Sequence, residues 1–170
     1  MELKGAGFLY TLATLTVTFA GFSALLLLVR QGAGKTASAL DRFITRTTVG
    51  HLFMLTAGAF IPVLLNSFGI SEALVWKASS LIFGIPMLVI LLTHPRRRQT
   101  VFRKPAPRSV LATYVGLGSV SLLAMIAYIL AGLQHPSAAY MTALTVNFFT
   151  MAFAFWVALD FIVIEQADIT

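Results

Sequence analysis

Residues 23–36 read SALLLLVRQGAGKT, and the fold turns on whether the second half of this stretch cradles a phosphate or ends a membrane helix. A phosphate-binding loop has the form G-x-x-x-x-G-K-[ST], its first glycine letting the backbone wrap the phosphates before the lysine reaches them. Counting back from Gly34 puts Val29 where that glycine should stand, and the preceding residues form a long apolar run instead of a β-strand. The nucleotide reading fails on both tests. Gly32 and Gly34 instead let a first helix stop, because glycine enters the left-handed conformation at helix C-termini without a side-chain penalty. Arg30 and Lys35 then sit among lipid headgroups. Beyond them, Ser38-Ala39-Leu40-Asp41 resembles a capping box with Asp in place of Glu. It predicts a short interfacial helix, or an extension of the second span, beginning there.

The rest of the chain agrees with a membrane. Of 170 residues, 58% are hydrophobic and 11% charged, with a mean hydropathy of +0.89, whereas a soluble domain carries about 25% charge. A bilayer core of about 30 Å needs roughly 20 apolar residues per helix. Such runs fall near residues 5–29, 47–65, 73–92, 110–133 and 138–163. The expected fold is an all-α polytopic membrane protein, one domain of five transmembrane helices. The first run is read as a retained span, since MELK has no net positive charge and the run is longer than a signal-peptide core of about 7–15 residues.

Charge sets the expected orientation. Four basic residues (Arg30, Lys35, Arg42, Arg46) lie in the loop 30–46 and six (Arg96, Arg97, Arg98, Arg103, Lys104, Arg108) in the loop 93–109. Five crossings put both loops on one side, and positive loops stay in the cytoplasm, so the N-terminus is expected outside and the C-terminus inside. The outer connections NSFGISE and LQHPS are short and contain no Lys or Arg. Trp76 and Lys77 are expected near the outer interface, and Trp156 with Tyr114 near the inner one, where aromatic rings prefer to sit. The loop 93–109 has no acidic residue and three prolines. Anionic headgroups, at about 1 kcal/mol per basic residue, suit it better than nucleic acid, which needs a folded surface.

Polar residues inside apolar runs are the candidate site, because an ionisable group facing lipid is costly. His51 and Asp160 are both expected about one turn inside the cytoplasmic boundary. As neighbours they would form a carboxylate–imidazole pair able to pass a proton; the alternative is a solvated histidine and an aspartate held by a basic loop. Asn147, near the middle of the last span, needs a partner from another helix, water or a solute. Thr11, Thr14 and Thr18 share a face of the first span and either line a polar route or bond back to their own helix. Pro62 and Pro86, the latter beside Gly84, each remove a backbone donor and mark candidate hinges. Small residues at i, i+4 spacing, Ala20 with Ala24 and Ala154 with Ala158, mark helix-packing faces.

With no cysteine, no nucleophile–base pair and no metal constellation, the sequence predicts no enzyme, no cofactor and no metal site. Two functions remain: an oligomeric channel or transporter for an ion or small solute in a bacterial cytoplasmic membrane, or a non-catalytic sensor or assembly subunit working through helix and lipid contacts.

Overall fold

The computed structural model describes residues 3–32, 39–102 and 136–167. These form four helices: α1 (Ala6–Gly32), α2 (Ala39–Ser67), α3 (Glu72–Phe102) and α4 (Pro136–Ala167). There is no strand among the described residues. Each helix contains a segment long and apolar enough to cross a membrane: Ala6–Leu26, Thr45–Ser67, Glu72–His94 and Ser137–Trp156. These match four of the five expected runs. The fifth, 110–133, lies outside the described residues, as do Gly34, Lys35 and Ser38.

Large apolar side chains point outward along the whole bundle, among them Phe22, Phe53, Phe60, Leu92, Phe149 and Trp156. In water each would cost roughly 1.5–3 kcal/mol relative to burial; hydrocarbon removes that cost, so the surface suits a multi-pass membrane protein. Inside lie Leu9, Leu12, Leu52, Leu55, Val75, Trp76, Phe83, Tyr140 and Leu144.

Cross-helix contacts set the packing. Thr16 with Thr56 and Tyr10 with Phe60 make α1 and α2 antiparallel. Phe43 against His94 with Gly58 against Phe83 makes α2 antiparallel to α3, and Gly58 against Tyr140 with His51 beside Asn147 makes it antiparallel to α4. The α2–α3 connection is the expected tight hairpin. Gly69 adopts φ 73° just past the end of α2, and the Phe68 and Gly69 amides donate to Leu65 and Asn66 carbonyls, satisfying groups a helix end leaves open. The opposite end of the α2–α3 pair carries exposed Arg42, Arg46, Arg96 and Arg97 and is called the basic end below.

Of the two forms expected for the segment before span two, the structure shows the extension: α2 is one helix from Ala39. α3 runs on to Phe102, making the first part of the loop 93–109 helical. It passes Pro95 at the loss of one backbone bond, and the Arg-Arg-Arg-Gln stretch that follows has good helix propensity. Trp76, at the hairpin end of α3, is wholly buried against Tyr140, with Nε1 donating to Glu72 Oε1 at 3.2 Å, so its ring packs into the bundle core. Trp156 is exposed.

The α1–α2 contact is held in part by the Thr16 and Thr56 hydroxyls, 2.7 Å apart. One of the two donates to the other, and the one that accepts donates to a carbonyl of its own helix, Ala13 O for Thr16 or Leu52 O for Thr56; a hydroxyl left alone still has that carbonyl, so removing one strands neither. Thr56→Val is expected to cost only about 0.6 kcal/mol, the usual worth of such bonds between membrane helices, as measured by reversible unfolding in bicelles.

Candidate functional site

Pro62 sits inside α2 and has no N–H, so the carbonyl four residues earlier, that of Gly58, loses its helical donor. Tyr140 of α4 supplies the replacement: its hydroxyl donates to Gly58 O at 2.7 Å in the buried interior. Gly58 also has to be small. A Cβ there would lie 2.6 Å from Cδ2 of Phe83 and 3.1 Å from a methyl of Leu144, well inside van der Waals contact. Phe83 packs edge-on against the Tyr140 ring, with centroids 6.2 Å apart. Two helices, α3 and α4, therefore close on one point of α2, in an apolar junction around a single satisfied carbonyl.

On the basic side of this junction lies His51, seven residues or about 10 Å along α2 from Gly58. Its residue is 3% exposed, and neither ring nitrogen has a hydrogen-bond partner among the described residues. Asn147 of α4, 1% exposed, lies alongside, close enough to interact with the ring but outside hydrogen-bond geometry. The Asn147 amide donates Nδ2 to Ala143 O at 2.8 Å, which leaves Oδ1 as its remaining hydrogen-bonding end. Thr48 and Thr150, one turn from His51 and Asn147 respectively, are also buried. On the hairpin side of the junction, one turn from Phe83, the buried Ser80 hydroxyl also has no partner among the described residues.

The expected site residues are thus redistributed. His51 and Asn147 come together. Asp160 does not join them, because it stands thirteen residues beyond Asn147 on the continuous α4, about 20 Å along the axis. Its side chain lies outside the described residues. Thr11, Thr14 and Thr18 face away from the bundle, and the first two donate back to Gly7 and Tyr10 carbonyls. The threonine of α1 that turns inward is Thr16. Pro62 is buried at the junction, whereas Pro86 is exposed and Gly84 half-buried on α3; both prolines lie within unbroken helices. Arg96 and Arg97 are exposed, while the Arg98 side chain, Arg103, Lys104 and Arg108 lie outside the described residues. Ala20 is buried and Ala154 exposed, so the close approach at Gly58 was not among the expected small-residue faces. Its signal was present in the sequence: Gly58 is the residue whose carbonyl Pro62 frees.

Among the described residues no group of three or more His, Cys, Asp or Glu is placed to hold a metal. No family model, curated protein or solved structure matches the chain.

Proposed function

We propose that this chain is a non-enzymatic transport protein of a bacterial cytoplasmic membrane, a channel or transporter assembled from several copies, which moves an ion or small solute past His51 and Asn147. One observation carries the reading: a buried imidazole with both nitrogens unpartnered among the described residues, beside an intramembrane amide. A buried polar group without a partner costs about 1–3 kcal/mol, so a chain that keeps one has a use for it or supplies a ligand. Support comes from the Ser80 hydroxyl across the apolar junction, likewise without a partner among the described residues, since a route needs polar stops on both sides of its narrowest point.

The topology we propose has five crossings, with the N-terminus outside and the C-terminus inside. It rests on the shared position of Arg42, Arg46, Arg96 and Arg97 at one end of the antiparallel α2–α3 pair, because basic ends stay cytoplasmic. Those arginines meet anionic headgroups there.

Reconstitution in liposomes tests the function. A flux of protons, cations or small solutes that Asn147→Leu reduces to the level of protein-free vesicles is the expected result. Absence of any flux, with co-purification of another membrane protein, is the result expected of the rival reading, a non-catalytic sensor or assembly subunit.

A further inference from the structure

We infer that the His51–Asn147 site accepts a small neutral molecule, one that donates at least two hydrogen bonds and accepts one, and that it excludes ions. Water, ammonia and urea-like amides have this chemistry. The inference rests on the transport reading above and decides between the two solute classes which that reading leaves open.

The argument begins with what an ion would need. A charge taken out of water loses several kcal/mol of solvation, which opposite charges or converging dipoles must offset. Among the residues whose side chains are described, no Asp, Glu, Lys or Arg is buried; the buried polar residues there are Thr16, Ser23, Thr48, His51, Ser79, Ser80, Ser137, Asn147 and Thr150. Several of their hydroxyls are already committed to carbonyls of their own helices, as for Ser23 with Phe19 and Thr150 with Val146. Cation pathways use unwound backbone carbonyls, but the four described membrane segments are continuous helices, and the carbonyl that Pro62 frees is taken by Tyr140. Anions favour helix N-termini, and those of α1, α3 and α4 lie at the ends of the bundle. Neither sign of charge finds compensation among the described residues.

A neutral solute does. Neutral imidazole offers one N–H donor and one bare nitrogen acceptor, both unengaged at His51 among the described residues. Asn147, with Nδ2 tied to Ala143 O, offers its carbonyl oxygen as a second acceptor. The matching guest gives two protons and takes one. The junction limits its size: Phe83, Leu144 and Tyr140 are packed round Gly58 so tightly that one added carbon collides, so these side chains must move aside for any guest, and a guest of few heavy atoms asks least of them.

The test uses purified protein in liposomes. Stopped-flow scattering reads water permeability under an impermeant osmolyte and urea permeability under a urea gradient; lumen alkalinisation after ammonium chloride addition reads ammonia; current under imposed potassium and proton gradients reads ions. At least one neutral permeability should exceed that of protein-free vesicles, with no current. His51→Phe should lower that permeability about tenfold, the factor for one strong hydrogen bond lost at the limiting step. His51→Gln keeps a donor and an acceptor and should retain most of it. Both variants are compared only as monodisperse protein with wild-type helicity.

An ion current that His51→Phe abolishes, with neutral permeabilities at baseline, overturns the inference and leaves the transport reading standing. A neutral permeability that His51→Phe leaves unchanged also overturns it. No flux of any kind overturns the transport reading and this inference together.

Discussion

Tyr140→Phe should destabilise the bundle by about 1–2 kcal/mol, and Pro62→Ala should remove most of that penalty when the two are combined. The first figure is the cost of stranding a buried carbonyl, near the upper limit measured for polar contacts between membrane helices. The rescue follows from geometry. Replacing the proline with alanine restores the N–H that donates to the carbonyl four residues back, so Gly58 O would again be satisfied within α2 and the tyrosine hydroxyl would be spare. A double-mutant cycle read by reversible unfolding in bicelles measures the coupling directly. Additive losses would show that the Tyr140–Gly58 bond is not the replacement for the donor that proline removes. Tyr140→Ala goes further, because it also empties the space between Trp76 and Phe83, and is expected to cost about 3–5 kcal/mol, as for other buried large aromatics.

His51→Leu is expected to act in two directions at once, raising thermal stability while ending transport. Wild type keeps two buried nitrogens without partners among the described residues, and replacing such a group with an apolar side chain of comparable size is neutral or stabilising, here by about 1–2 kcal/mol. The same change removes the imidazole beside Asn147 and with it the proposed flux. Opposite movement of stability and activity is the mark of a residue kept for function at a structural cost. Unfolding midpoints and flux measured on the same preparation check both halves. Loss of more than about 1 kcal/mol on His51→Leu would mean that the ring is held by bonds to the protein, and the argument for a guest would go with it.

These two expectations bear differently on what could be read in advance. The missing donor at Pro62 follows from the residue type, and with it the loss at Gly58. The partner that repairs it is 82 residues away, and no local pattern names it. The threonines of α1 show the same limit. Thr11, Thr14 and Thr18 share a face, but membrane helices are apolar on both sides, so hydropathy does not say which side turns inward; packing put Thr16 there instead. Counting turns inward from the ends of the apolar runs pairs Asp160 with His51. Since α3 and α4 run on past the apolar segments, such boundaries are poor rulers, and the residue at the level of His51 proved to be Asn147.

The sequence by itself determined that the chain is helical, where the apolar segments lie, that a short connection joins spans two and three, and that Pro62 leaves a carbonyl open. Each of these follows from a requirement met within one segment: backbone groups in hydrocarbon must pair along their own helix, and lipid asks for about 20 apolar residues in a row. Only the tertiary structure decided that α2 lies between α1, α3 and α4, that Tyr140 closes the gap Pro62 opens, and that His51 meets Asn147. The physical reason is that neighbours in a helix bundle are chosen by close packing between apolar surfaces, and surfaces so alike in composition differ only in shape.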